Sequence, residues 1–574
     1  MPCHLSEQAV CRDVLLRRYT QAGEFCVDHV LGRVASALSA LEAPDQRTRW
    51  HDRFLWALRR GLVPAGRILA GAGAVPHAML INCFVLPIKE PSGLGATMAD
   101  ALTTLRMGGG VGYDFSGLAP SASLLKAMRE LDDACGTLSR GRVRPGAQMG
   151  VLRCDHPDIL SFVHAKDAAE LPTFNLSVAV SDAFMRAVEA DACIELLHAS
   201  EPRGGRQDFP SESGLWADRI VRARVLWQAI MESSYDHGEP GLLFIDRINE
   251  DNNLSFCEQI SATNPCAEQP LPPYGACCLA SLDLTRLVLD PFQPDARFNQ
   301  SGMAELVKVA VRLLDNVLDL TDWPLNAQMA EARLKRRIGL GITGLGDALV
   351  MLGLRYDTAQ ARQEVARWMR TMRDTAYTAS SNLAAERGAF PLFQADEFLR
   401  APHFSSRLPN DIQDAVRHHG LRHSHLLAVA PAGSISLAMC DNVSSGIEPV
   451  FAWQMQRNVR GDDGSTHLLT VEDHAWRLYR RVKGIEAALP PAFVTAHEVA
   501  PADHVAMVGA IAPFVDGGIS KTVNVPEDLP LSEFEKIHMQ AWKSGLKSLT
   551  AYRTNSTLPP TLRALPNCHQ KLSC

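Results

Sequence analysis

The chain has 574 residues, 46% of them hydrophobic and 21% charged, with a net charge of -7. That balance is ordinary for a globular enzyme of roughly three to five domains or one large barrel. Its acidic sign excludes a general nucleic-acid binder, whose phosphate contacts need a basic face. No apolar run reaches the roughly 18 residues of a membrane span, and the opening MPCHLSEQAVCRDVLLRRYT lacks the apolar core of a signal peptide. The expectation is a cytoplasmic protein with no membrane and no nucleic-acid partner.

Residues 1–62 are predicted helical, with Trp50, Phe54, Leu55 and Leu58 forming an apolar stripe at helix spacing. From residue 63 the texture changes to short apolar runs broken by Gly and Pro: VPAGRILAGAGAVP, AMLINCFVLPI and MGGGVGYDFSGL. Buried strands are predicted at MGVL (149–152), FNLSVAV (174–180), HLLAVA (425–430) and KTVNV (521–525). Amphipathic helices lie between them. Leu306, Ala310, Leu313, Leu314 and Val317 mark one, and 359–387 carries another. Strands alternating with helices predict an α/β architecture. From Thr557 onward the chain is polar and Pro-punctuated, and reads as a flexible tail.

The chain has 14 cysteines but no CxxC and no Cys/His knuckle, which predicts thiols in a reducing compartment and no bound metal. Most read as small buried hydrophobes, Cys26, Cys135, Cys193 and Cys257 among them. Cys568 and Cys574, in the closing NCHQKLSC, are not explained by packing, because chain ends are seldom ordered. GLGITGLGD (339–347) has the GxGxxG spacing, but a basic helical ARLKRR precedes it where a dinucleotide site needs a strand. PAGSIS (431–436) directly follows the apolar LLAVA. Its backbone N–H groups and Ser hydroxyls either bind a phosphate or form a simple turn.

NPCAEQPLPPYGAC (264–277) resembles the active-site loop of ribonucleotide reductases. Four further stretches resemble that family in the same order: GRILAGAG…INCFVLPI (66–88), GGGVGYDFS (108–116), PAGSISLAMCDNVSSGIEPVF (431–451) and KTVNVPED…AWKSGLKSLTAYRTNS (521–556). The resemblance implies a ten-stranded α/β barrel with a central finger loop over residues 63–556. A helical N-terminal region (1–62) would precede it, and a flexible redox tail (557–574) would follow.

It also implies roles. Cys266 would carry a thiyl radical that removes the ribose 3′-hydrogen, Glu268 would take the 3′-OH proton as general base, and Asn264 would hold the ribose hydroxyls. Cys83 and Cys277 would supply two electrons and close to a disulfide. Cys278 stands where the family has Asn, and it is read as a bystander because adjacent side chains of an extended chain point apart. Cys568 and Cys574 would re-reduce the disulfide by thiol exchange, with a thioredoxin or glutaredoxin-type protein as the outer reductant. Ala65, Gly66, Ala432, Gly433, Ser434, Ile435 and Ser436 would cradle the phosphates of the ribonucleotide substrate. Arg144 and Gln148 would be contacts of the specificity loop.

The family divides by how the radical is made. The chain has eight tyrosines and no Tyr-Tyr pair, and no RGY-like glycyl-radical motif. The adenosylcobalamin-dependent class remains, and LKSLTAYRTNS, with Tyr552, resembles its closing motif. No DxHxxG is present. The connector from Pro120 to Ser139 is short for the effector loop of the family, and no room precedes residue 60 for an ATP-sensing module, so weak or absent effector control is expected of a monomer or homodimer. A degenerate nucleotide-binding paralogue, a large subunit needing a radical-generating partner and an NAD-dependent dehydrogenase are the alternatives.

Overall fold

A computed structural model describes residues 5–76, 78–88, 94–120, 123–139, 146–167, 170–199, 209–211, 213–460, 466–553 and 563–564. Its N-terminal region forms three helices, α1 (Ala9–Arg18), α2 (Val27–Ser39) and α3 (Arg47–Arg59). Phe54 and Leu58 of the predicted stripe are buried, while Trp50 is half-buried with the Arg312 guanidinium 4.1 Å from its ring centroid. Short strand β1 (Leu62–Pro64) then leads into α4 (Gly66–Gly71).

Five parallel strands follow: β2 (Cys83–Pro87), β3 (Gly110–Asp114), β4 (Gln148–Arg153), β5 (Phe174–Val180) and β6 (Gly241–Phe244). Helix α5 (Ser123–Ser139) fills the connector between β3 and β4. A hairpin of two-residue strands, β7 (Ala262–Thr263) and β8 (Pro270–Leu271), precedes the second half. That half contains β9 (Ala276–Asp283), β10 (Ile338–Thr343), β11 (Thr522–Val525) and β12 (Ser548–Arg553). Helices α6 (Gln300–Leu320), α7 (Asn326–Lys335) and α8 (Ala359–Arg387) lie between β9 and the end of the chain, as the apolar periodicity predicts for the first and last.

The two halves meet at antiparallel seams, β2 with β9 and β6 with β12. The predicted strand at 425–430 is reduced to single parallel bridges, Leu427 to Leu340 and Val429 to Ile519. Those bridges nevertheless join β10 to the segment leading into β11. Backbone bonds Leu340 N to Leu426 O (2.8 Å) and Val429 N to Gly518 O (3.0 Å) carry the ring across. Counting the 425–430 segment, the ring has ten staves, the expected α/β barrel. A continuous ladder cannot form there because the Asp516 carboxylate takes the Leu426 and Leu427 N–H groups (2.9 and 2.8 Å).

Buried charges tie the N-terminal helices to the barrel. Glu42, just past α2, accepts from Arg312 (2.9 and 2.6 Å), Asn316 (2.8 Å) and Arg387 (2.7 Å). Removing one partner of such a group strands a buried charge, which costs more than the pair contributes.

Two expectations need correction. Cys135 is buried, but Cys26, Cys193 and Cys257 are exposed: Cys26 is the N-cap of α2, Cys193 opens a strand of a small outlying sheet, and Cys257 sits in a loop. Gly339 and Gly341, discounted from sequence as a dinucleotide motif because a basic helix precedes them, lie inside strand β10. Of the predicted flexible tail, Arg563 and Ala564 pair antiparallel with Gln456 and Met455, and the rest lies outside the described residues.

The barrel interior holds the tip between β7 and β8. A Cβ on Gly112 would overlap Thr263 O, and one on Gly518 would stand 2.7 Å from Ala267 O. Gly112→Ala is therefore expected to lower the thermal midpoint by several degrees, since backbone cannot yield as a side-chain tip can. Gly32→Ala, mid-helix with nothing within 4 Å, is expected to stabilise by up to about 1 kcal/mol. Thermal melts of both variants check the pair, and equal effects would contradict the packing described.

Candidate active site

The loop tip is fixed from within and from both barrel halves. Asn264 N donates to Gln269 O (3.1 Å) and Ala267 N to Asn264 O (3.0 Å). Gln269 N donates to Asn264 Oδ1 (2.9 Å). From the first half, Asn175 Nδ2 donates to Pro265 O (2.8 Å); from the second, Gly518 N donates to Glu268 O (2.9 Å). Ala267 turns in the left-handed region, φ 63°, which costs a non-glycine residue about 1–2 kcal/mol.

Above the tip is a cavity of about 250 Å³, into which Asn264, Cys266 and Glu268 all open. Cys266 is exposed to it, whereas Asn264 and Glu268 are 1% and 2% exposed. Cys83, also at the cavity, is buried in β2: its thiol lies 3.7 Å from Glu268 Oε1, and Asn264 Nδ2 donates to its sulfur at 3.2 Å. Cys277 stands directly opposite Cys83 across the antiparallel seam. Residues so paired share one face of the sheet, with Cα atoms about 4.5–5.5 Å apart, inside the Cα range of a disulfide. Cys278, one residue on, turns the other way and donates to Leu314 O of α6 (3.6 Å). The alternation of the strand thus selects Cys277 over Cys278.

Burial dominates the electrostatics. It pushes the Glu268 carboxyl up to about 7, against hydrogen bonds from its own N–H, Asn264 and Cys83 that favour the charged form. Its Oε2 has no hydrogen-bond partner among the described residues, so a hydroxyl in the cavity would find an acceptor there. Burial, reinforced by the Glu268 charge, raises Cys83 well above the usual thiol range, and burial with neighbouring Cys278 does the same for Cys277. Both are protonated thiols at neutral pH.

Opposite the loop tip, the cavity wall is built from Ala65 and Gly66 at the start of α4 and from Ala432, Gly433, Ser434 and Ile435 at the start of helix α9 (Gly433–Cys440). First-turn N–H groups of a helix have no intrahelical acceptor and favour an anion.

These groups share one neighbourhood, and comparison with known proteins gives the family of the chain. Residues 81–552 match the ribonucleotide reductase barrel domain. The chain belongs to the ribonucleotide reductase family. It is 35% identical, over 96% of its length and 78% of the relative, to the vitamin B12-dependent ribonucleoside-diphosphate reductase of Mycobacterium tuberculosis (strain CDC 1551 / Oshkosh). To the protein of the same name from Thermoplasma acidophilum it is 30% identical, over 88% of the chain and 65% of the relative. The ribonucleoside-diphosphate reductase large subunit of Monkeypox virus is 25% identical over 86% of the chain and 71% of the relative.

Of the residues inferred from sequence, the structure brings Asn264, Cys266, Glu268, Cys83, Ala65, Gly66 and 432–435 to one cavity, with Cys277 behind Cys83. Two do not belong there. Gln148 is fully buried in β4, where Oε1 accepts from the Tyr113 hydroxyl (2.9 Å) and Nε2 donates to Leu131 O (3.2 Å) and Thr173 Oγ1 (2.9 Å). Its amide ties α5 to the wall, and the side chain does not line the cavity. Ser436 is buried one turn inside α9 and donates to Gly433 O (3.0 Å), so it shapes the turn instead of facing the cavity. Arg144, Cys568 and Cys574 lie outside the described residues. Sequence reasoning missed Asn82, whose side chain lines the cavity with a buried Oδ1 that has no partner among the described residues. A polar residue inside the apolar run MLINCFVL was the available signal.

Because the native state holds the Glu268 proton up to about pH 7 while the unfolded chain releases it near 4.3, ionisation between those values weakens the fold. Stability contributed by the neutral acid is present below pH 4 and is lost as pH rises through 7. Glu268→Gln should therefore gain stability over the native protein on going from pH 5 to pH 8. Denaturant midpoints at the two pH values test this, and a pH-independent difference would contradict it.

Proposed function

We propose that the chain reduces ribonucleotides to 2′-deoxyribonucleotides by thiyl-radical chemistry, with adenosylcobalamin as radical source. The observation that carries this reading is the directly opposed Cys83–Cys277 pair, with Asn264 and Glu268 against Cys83, behind an exposed Cys266. The names of the more similar relatives support the cobalamin-dependent class and ribonucleoside diphosphates as substrates.

The residues present fit the cofactor. Cys266 is the exposed residue of the loop tip, and Gly108, Gly109, Gly110 and Ala147 with Pro265 line the cavity beside it. These residues would face a large planar group. When bound, the cofactor supplies hydrogen-atom abstraction from the Cys266 thiol.

The chain's own residues do the rest. The ribose lies over the loop tip with its phosphates toward the starts of α4 and α9. Cys266 removes and later returns the 3′-hydrogen. Glu268 Oε2 accepts the 3′-OH proton, a task suited to a carboxyl poised near pH 7, and Asn264 holds the ribose hydroxyls. Cys83, protonated, gives its proton to the departing 2′-oxygen, which leaves as water. Cys83 and Cys277 together supply two electrons and close to a disulfide, so a ribonucleotide and a dithiol yield a deoxyribonucleotide, a disulfide and water. Cys568 and Cys574 would exchange with that disulfide, drawing on a thioredoxin or glutaredoxin-type protein. We place this chemistry in the cytoplasm, in a monomer or homodimer, with weak effector control because helix α5 is the one element among the described residues of the connector after residue 120. No helix among the described residues is long and apolar enough to cross a membrane.

The test is anaerobic turnover of the purified chain with a ribonucleoside diphosphate and dithiothreitol. Product should require adenosylcobalamin, vanish in Cys266→Ser and persist near the native rate in Cys278→Ser. Turnover by Cys266→Ser, or cofactor-independent product, would overturn the reading.

A further inference from the structure

The N-terminal helices have no part in the chemistry so far, yet one of their side chains reaches the anion cradle. Tyr19 is the C-cap of α1 and only 4% exposed. Its hydroxyl lies 2.8 Å from Ser434 Oγ, 415 residues away in sequence. The ring fills the corner between the two helix starts that line the cavity. A Cβ on Gly66 would stand 3.2 Å from Tyr19 Cε1 and 3.3 Å from its hydroxyl, so Gly66 is small because Tyr19 is there.

The tyrosine is held by its backbone. Arg33 Nη2 donates to Tyr19 O and to Leu69 O, both at 3.0 Å, and Nη1 donates to Ala72 O at 2.6 Å. Nε and Nη2 also reach the Glu24 carboxylate (2.8 and 3.1 Å). One guanidinium thereby locks the end of α1 to the end of α4. The fork is rigid and its donors are used in fixed directions, which sets the place of the Tyr19 hydroxyl relative to the cavity wall.

Two hydroxyls 2.8 Å apart can bond in either sense, and acidity chooses between them. A phenol with a pKa near 10 is the better donor, and the aliphatic Ser434 oxygen the better acceptor. If the Tyr19 O–H donates to Ser434 Oγ, the serine hydrogen must point elsewhere, and the open direction is the cavity. Without Tyr19, a first-turn serine hydroxyl is free to bond to backbone of its own helix or turn.

We propose that Tyr19 is a substrate-positioning residue: its hydroxyl holds Ser434 as a hydrogen-bond donor aimed at the phosphate of the ribonucleotide. This rests on the reading that the α9 start receives phosphate, and it gives the N-terminal region a direct part in substrate recognition.

The test is titration calorimetry of the full chain with a ribonucleoside diphosphate, the matching ribonucleoside and inorganic pyrophosphate. Tyr19→Phe keeps the ring against Gly66 and removes only the hydroxyl. It should weaken the diphosphate and pyrophosphate by about fivefold, the size of one net hydrogen bond, and leave the ribonucleoside unchanged. Combined with Ser434→Ala it should add less than about twofold, because the serine through which it acts is gone. Unchanged diphosphate affinity, an equal loss for the ribonucleoside, or full additivity with Ser434→Ala would each overturn the proposal. Native protein that binds neither diphosphate nor pyrophosphate would overturn the phosphate reading itself, and this inference with it.

Discussion

A loop carried through the middle of a barrel needs the surrounding strands to stand back from it. That clearance is what the rest of the structure depends on. Where Gly112 and Gly518 pass the tip, any side chain would run into loop backbone, and a close-packed interior has no slack to absorb it. In exchange the loop gains fixed partners on both halves of the barrel, Asn175 on one and Gly518 on the other. Its tip is therefore anchored on two sides, which a surface loop would not be, and those bonds set where Cys266, Glu268 and Asn264 stand.

The seam between the halves has a second consequence. The ring strands within each half are parallel, and where the halves meet they are antiparallel. Directly opposed side chains are close neighbours in such a ladder, and the two seam cysteines occupy that position. Burial keeps both as thiols and lifts the Glu268 carboxyl toward neutral pH, so the same dry setting acts on all three groups. Cys278 shows how local the requirement is, since one step along β9 points its sulfur at the backbone of α6.

The outline was legible in the sequence wherever one physical signal acted alone. Helices 300–320 and 359–387 were visible because apolar residues recur with helical period over several turns, and FNLSVAV because it is mostly apolar and buried except at Asn175. NPCAE marked the loop tip that lines the cavity, and strand alternation separated Cys277 from Cys278. What could not be read depended on tertiary contacts. Nothing in the texture of HLLAVA announces that Asp516 interrupts its ladder, and nothing near Gln148 says that its amide is spent on Tyr113, Leu131 and Thr173. The exposure of Cys26, Cys193 and Cys257 likewise follows from a cap, an outlying strand and a loop, which composition does not report. The glycines of 339–347 were seen and set aside as a nucleotide motif, but their place inside a barrel strand emerged only in three dimensions. Tyr19 left no signal, because its partner is 415 residues distant.

The central claim is that the Cys83–Cys277 pair is the electron source for ribose reduction, and the most direct measurement is a single turnover without external reductant. The fully reduced protein, with Cys568 and Cys574 replaced by Ser to prevent exchange, is incubated anaerobically with a ribonucleoside diphosphate and adenosylcobalamin, then quenched in alkylating agent and digested for peptide mapping. The account predicts about one deoxyribonucleotide per chain, matched by one Cys83–Cys277 disulfide, with Cys278 alkylated. Product accompanied by a disulfide involving Cys278, or by no disulfide at all, would contradict it.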